Sequence, residues 1–319
     1  WSTSEEPTLE NGTSIDLGGG TGEFTYTITD LTPFTTYYIR AYAINSQGTA
    51  YSREITFTTK FDGSITDLSA NGTANCYLVS PEAGHYEFDA TVIGNGKAGI
   101  LDNTFHTQNP NISPASAEVL WEFKYNKQHR YSDLYPMMEP TSIISFVEYY
   151  KESGKVHIVT TGEKGNALIA VKDANGNILW SWHIWCTEAP EEQNYIVTLP
   201  KGDGSDYQIE YIALDRNIGA TRADRGTEEH DWLEAVGFAY QWGRKDPLYD
   251  GCSRHYNTSV NMEYTISHPT EFIEYHDWMS PLIPNAWSPK SKSIYDPCPQ
   301  GYRVPPSELW TSMTAVSAT

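Results

Sequence analysis

The sequence predicts a mainly β, multi-domain protein. Runs of alternating apolar and polar residues recur along it, the period-2 signal of half-buried strands. The clearest short-range signal is Asn175-Gly176 between two such runs, a pair favoured in tight β-hairpins. Aromatic content is high, with 10 Trp and 22 Tyr in 319 residues, and these amphipathic side chains suit sheet faces as well as interiors. A chain of this length holds two or three domains with substantial cores.

Residues 1–59 read as β throughout and form the first expected domain. Phe24–Thr29 and Tyr37–Ala43 alternate, and Tyr37, Ile39, Ala41 and Ala43 share one face. Asn45-Ser46-Gln47-Gly48 reads as a turn and Glu54–Thr59 as the strand after it. The segment Leu31-Thr32-Pro33-Phe34-Thr35-Thr36-Tyr37 is similar to the tyrosine corner of fibronectin type III domains. That resemblance covers only the later strands of the fold. It implies a partial immunoglobulin-like sandwich with an exposed apolar sheet face or edge. Trp1 then falls mid-domain, so the chain is expected to be a segment of a longer protein with any targeting signal upstream.

Residues 60–70, rich in Asp, Ser and Gly, read as a linker, and 71–187 as a second β-sandwich domain. It opens with Asn71–Val79 and continues with the strand Gly84–Val92. Residues 101–140 read as loop because Pro110, Pro114, Pro136 and Pro140 interrupt any regular run. Ser145–Tyr150 and Val156–Thr160 form an expected hairpin, and Asn166–Lys172 with Ile178–Trp185 a second. Ile178, Trp180, Trp182 and Ile184 face one way and Leu179, Ser181, His183 and Trp185 the other. Two largely apolar faces predict a central strand.

Residues 188–206 read as an acidic connector, and 207–319 as the third domain, opening with the strand Ile209–Leu214. Asp231 and Glu234 have capping-box spacing. The helix they start would carry Ala235, Phe238, Ala239 and Trp242 on one side and stop at Gly243. A second short helix is expected near Ser307 with Leu309, Trp310 and Met313, although Pro306 takes the place of a polar N-cap. Three signatures punctuate this domain: Leu214-Asp215-Arg216-Asn217-Ile218-Gly219-Ala220, Tyr240-Gln241-Trp242-Gly243-Arg244-Lys245-Asp246-Pro247, and Asp296-Pro297-Cys298-Pro299-Gln300-Gly301-Tyr302-Arg303-Val304-Pro305. In order and spacing they resemble the FISUMP (major paralogous) domain of Bacteroidota cell-surface proteins, which is related to the C-type-lectin-like fold. Gly165–Val171 and Ile178–Trp185 resemble the β-sandwich that precedes such domains. The resemblance implies a partial C-type-lectin-like α+β module in an extracellular, cell-surface protein of adhesion type, with fimbrial association as one form. Its expected partners are other surface proteins or glycans.

Composition narrows the function classes. The formal net charge is −20, and no Lys/Arg cluster stands ready to neutralise phosphates, which argues against nucleic acid and anionic membrane as partners. No apolar run approaches the ~20 residues of a membrane span. Nine histidines are scattered without ligand spacing, and no nucleophile elbow or phosphate loop occurs. Gly18–Gly22 precedes a strand and reads as a loop. Asp173–Asn177 lacks the glycine and distal Glu of a calcium loop and reads as a hairpin turn. The Glu-Pro-Asn and Trp-Asn-Asp motifs of calcium-dependent lectins are absent. No metal, cofactor or catalytic residue is therefore expected.

Two sets of residues remain. Cys76, Cys186, Cys252 and Cys298 allow three pairings or free thiols; Cys76–Cys298 and Cys186–Cys252 are preferred because Cys76 and Cys298 lie within the family-like motifs. In the signatures, Arg216 and Arg244 can each take a carboxylate from Asp215, Asp246 or Asp296, which first suggests an internal network. The functional alternative makes Arg216, Asn217, Gln241, Trp242 and Arg244 ligand contacts, presenting donors and a ring face to a sugar. Three function classes follow: a non-catalytic surface or adhesion protein, a glycan-binding accessory module of a polysaccharide-using system, and the non-catalytic part of a secreted hydrolase.

Overall fold

The computed structural model describes the chain except residues 34, 60–62, 97–108, 126–137, 225, 229–230, 250–251, 257 and 315–319. Phe34, the start of the expected linker, the Pro136 stretch and His230 lie outside the described residues. The fold is mainly β, with several sheets and short helices. It divides into two compact units, Trp1–Ser64 and Ile65–Thr319.

The first unit holds β1 (Thr36–Ile39), β2 (Tyr42–Asn45), β3 (Gly48–Tyr51) and β4 (Ile55–Thr58). β1 pairs antiparallel with β4, and β2 with β3. The run expected as one strand over Tyr37–Ala43 therefore breaks at Arg40–Ala41 and changes partner. Phe24–Thr29, expected as a strand, forms no ladder among the described residues; its alternation has no neighbouring strand to satisfy it. Ile44 and Ile55 stay exposed on these small sheets. The Tyr37 hydroxyl accepts a hydrogen bond from the Thr32 amide at 3.1 Å, and the Tyr37 ring lies 6.1 Å from Phe57. Tyr37→Phe keeps the ring and removes that acceptor. It is expected to cost about 1 kcal/mol and to raise hydrogen exchange at the Thr32 amide, while Tyr37→Phe at full protection would show the bond to be idle.

The second unit is built on two facing sheets. One contains β5 (Thr66–Asp67), β7 (His85–Asp89), β10 (Ile144–Tyr150) and β11 (Lys155–Thr160), in the order β10-β11-β7-β5. The other contains β6 (Cys76–Val79), β8 (Ser116–Tyr125), β9 (Met138–Pro140), β12 (Gly165–Lys172) and β13 (Ile178–Cys186), in the order β6-β13-β12-β8-β9. Both expected hairpins form, β10 with β11 and β12 with β13. Phe88 of the first sheet meets Trp182 of the second at 5.2 Å. β13 is interior to its sheet, as its two apolar faces predict. Residues expected as loop include the ten-residue strand β8, whose Trp121 and Tyr125 are buried.

The expected connector 188–206 is mostly strand: β14 (Glu192–Pro200) pairs over its length with β15 (Asp206–Leu214) as a two-stranded ribbon. Beyond it come α1 (Leu233–Val236), β16 (Ser253–Tyr256), α2 (Met262–Ser267), β17 (Glu271–Glu274) and α3 (Ser307–Thr314). β16 and β17 pair in parallel. The first expected helix is cut to α1. Trp232 is its N-cap residue, without a side-chain cap bond, and the chain leaves the helix at Gly237 with φ 75°, so Phe238 to Trp242 do not continue a helical face. α2 is capped by Asn261, whose side chain accepts from the Tyr264 amide at 2.9 Å. Val260, Met262, Ile266, Ile273, Trp278 and Tyr295 pack into the same buried cluster as Phe88, Trp180 and Trp182. The segments read as second and third domains thus share one core.

Candidate functional site

The three signatures differ in what they do. In the first, Gly219 has φ 86° and lies so close to Phe238 that a Cβ would sit 2.4 Å from its ring, a place only glycine fits. The Gly219 carbonyl accepts from the Asn166 side chain at 2.9 Å, and the Ala220 carbonyl accepts from Trp185 Nε1 at 2.9 Å. Arg216 grips Asp215 with two bonds, at 2.8 and 3.1 Å; its guanidinium holds that carboxyl below the usual carboxylate range. Asn217 donates to the Val236 carbonyl at 3.0 Å. Of the candidate ligand contacts from the sequence, Arg216 is paired with Asp215, and Asn217 is exposed with its amide on the Val236 carbonyl.

The third signature is also scaffold. Asp296 is fully buried and accepts from Lys292 Nζ and the Cys298 amide at 2.9 Å and from the Val304 amide at 3.0 Å. Asn75 donates to the Ile294 and Asp296 carbonyls, at 2.7 and 2.9 Å, and accepts from Trp180 Nε1 at 2.9 Å. One carboxamide thereby joins the signature to the sheet.

The second signature both locks and exposes. Lys245 Nζ is buried against Asp246 Oδ1 and Ser181 Oγ, each at 2.5 Å, and lies 4.5 Å from the Trp180 ring centroid. Arg244 is buried, not ligand-facing as one sequence reading had it. Its guanidinium caps backbone carbonyls of His268, Pro269 and Glu271 and donates to Gln241 Oε1 at 2.9 Å. Gln241 in turn mimics a strand neighbour. Its Nε2 donates to the Ile273 carbonyl at 2.9 Å, and its Oε1 accepts from the Ile273 amide at 3.0 Å. These two side chains hold β17 as a fixed wall.

Against that wall lies an open groove of about 410 Å³ lined by Gln241, Trp242, Phe272, Ile273, Glu274, Tyr275, His276 and Trp278. Gly243, with φ 87°, turns the chain there, and a Cβ on it would sit 2.8 Å from Met279. Trp242 and Tyr275 remain 42% and 47% exposed. Large rings left in water beside rigid backbone are suited to contacting a ligand. Of the five contact candidates from the sequence, Trp242 and Gln241 reach this groove; Arg216, Asn217 and Arg244 do not line it. The aromatics of the 272–278 stretch were missed, although Phe272, Tyr275 and Trp278 recur every third residue.

A second constellation has the composition of a catalytic one. Cys76 Sγ lies 3.5 Å from His183 Nδ1, and His183 Nε2 lies 2.9 Å from Asn166 Oδ1. Thiol, imidazole and orienting carboxamide are the parts of a cysteine nucleophile. The electrostatics oppose that use. All three side chains are buried, burial raises the Cys76 thiol pKa far from neutrality, and burial lowers His183 to about 3. A neutral thiol beside a neutral imidazole, closed to solvent, is a hydrogen-bonded core element. Because the Asn166 amide donates to Gly219, its oxygen faces His183, which assigns the proton to Nε2.

The expected disulfides are corrected by the structure: all four cysteines are free thiols. Cys76 is engaged with His183, and Cys186 donates to the Ser80 carbonyl at 3.3 Å. Among the described residues, no group of His, Cys, Asp and Glu is placed to hold a metal ion, and no helix is long and apolar enough to cross a membrane. Comparison with protein-family models gives no match, and comparison with curated proteins gives none either.

Proposed function

We propose that this chain is part of a non-catalytic extracellular surface protein of adhesion type, which contacts its partner through the groove beside Trp242. The single observation that carries this reading is the pairing of two exposed rings with a wall fixed by Gln241 and Arg244. Pre-ordered aromatic surface binds at low entropic cost. In this reading the buried Cys76–His183–Asn166 set is part of the core and not a reactive centre, since its atoms are closed to solvent and burial keeps the imidazole neutral. A glycan-binding accessory role is favoured by the same groove. The likeness to FISUMP-containing surface proteins supports the extracellular setting.

On a panel of immobilised glycans and extracellular-matrix proteins, the wild-type chain is expected to be retained by at least one member. Trp242→Ala should weaken that retention about tenfold or more, as loss of an aromatic anchor does. Retention unchanged in Trp242→Ala, or steady release of cleaved ligand, would overturn the proposal.

A further inference from the structure

We infer that the Trp242 groove takes the apolar face of an uncharged pyranose within a polysaccharide and rejects acidic sugars. This rests on the contact reading above and adds the chemistry of the ligand. A pyranose presents a flat C–H face bordered by hydroxyls. Trp242 and Tyr275 supply exposed ring surface, and Glu274 and His276 line the same groove as hydrogen-bonding groups. Hydroxyl donors find carboxylate acceptors there without any charge on the sugar.

The distribution of charge decides against an anionic ligand. Arg254, on β16 beside the groove strand β17, is engaged with Glu274 at 2.8 Å and lies over the Phe272 ring. Arg244 is buried behind β17 on backbone carbonyls. Among the described residues no lysine or arginine lines the groove, and the formal net charge of −20 adds a repulsive field. A uronate or sulfate would meet the Glu274 carboxylate and compete with it for Arg254, which costs affinity. The volume, about 410 Å³, lies within the range of small-ligand sites. Its open shape leaves both ends of a glycan chain free.

The test uses the full chain on immobilised laminarin, mannan and xylan, beside polygalacturonate, alginate and heparin, with collagen and fibronectin as protein members. Binding is expected on a neutral polysaccharide, at least about tenfold weaker on every acidic one, unchanged by EDTA, and reduced about tenfold or more by either Trp242→Ala or Tyr275→Ala. Raising salt should leave neutral-glycan binding within about twofold, because no ion pair is formed. Acidic polysaccharides bound equally well, or more tightly, overturn the inference. Retention on a protein member alone, lost in Trp242→Ala, overturns the sugar assignment while the contact reading stands. Retention by no member overturns both.

Discussion

Replacing Asp246 by Ala is expected to destabilise the second unit by about 3–5 kcal/mol, the cost of leaving a buried charge without its partner. Lys245 is buried and its ammonium has three acceptors, Asp246 Oδ1, Ser181 Oγ and the Ser181 carbonyl. Burial lowers its pKa, while the adjacent Asp246 carboxylate opposes that shift and favours the ammonium form. Because Ser181 sits on the central strand β13, the loss is felt by the whole shared core and not by one loop. Urea unfolding should show one cooperative transition for residues 65–319, shifted to lower denaturant in Asp246→Ala. The double replacement Lys245→Met with Asp246→Leu removes both charges and should recover most of the loss. A shift below 1 kcal/mol in Asp246→Ala would show that the pair does not hold the two segments together.

Acid should also destabilise the second unit, through His183. Its folded pKa is lowered to about 3 from an ordinary 6.5 by burial. Between those values the unfolded chain binds a proton that the folded chain does not. Stability is therefore complete above pH 6.5 and falls as pH drops toward 3, by about 1.4 kcal/mol per unit. At pH 4.5 the loss from this group is about 3 kcal/mol relative to pH 7. Protonation would place a second N–H at Nδ1, where Cys76 Sγ at 3.5 Å and the Tyr240 hydroxyl at 3.3 Å now face an acceptor. His183→Gln keeps a donor toward Asn166 and cannot titrate. The difference in stability between pH 7 and pH 4.5, measured by denaturant unfolding, should be smaller in that variant by about the same amount. An equal pH dependence in the two proteins would contradict the burial of a neutral imidazole.

Much of this architecture is readable from sequence where the signal is local. The β12–β13 hairpin follows from Asn175-Gly176, and the turn is held as expected, with Asp173 Oδ1 accepting from the Asn175 and Asn177 amides at 2.8 and 2.9 Å. The double apolar face of Ile178–Trp185 correctly marks a central strand. The errors come from two sources. Prolines at 110, 114, 136 and 140 outweighed the alternation of Val119, Trp121, Phe123 and Tyr125, although Pro114 lies before β8 and Pro140 ends β9. Acidic residues likewise concealed β14, a ribbon strand in which Tyr195, Val197 and Leu199 are at least partly buried while Asn194, Ile196 and Thr198 are exposed.

The other source is distance along the chain. Nothing local tells that Asn75 will bond to Asp296, 221 residues away, or that Ser181 will meet Lys245. Those contacts merge two expected domains into one unit. They also decide the candidate site, since Arg244 could be read as scaffold or as ligand contact until its carbonyl partners were seen. Trp242 was legible because it follows a conformationally constrained segment and precedes Gly243. The groove around it was not, because β17 comes from a stretch thirty residues on whose strand character is short and flanked by loops.

The measurement that separates contact surface from reactive centre is side-by-side ligand binding by the wild type, Trp242→Ala and Cys76→Ala, with recovery of the ligand afterwards. Loss of binding in Trp242→Ala alone, with the ligand recovered intact from all three proteins, is the result predicted by an aromatic contact groove and a buried Cys76–His183–Asn166 core. Ligand consumed by the wild type and spared by Cys76→Ala, with Trp242→Ala binding normally, would contradict it.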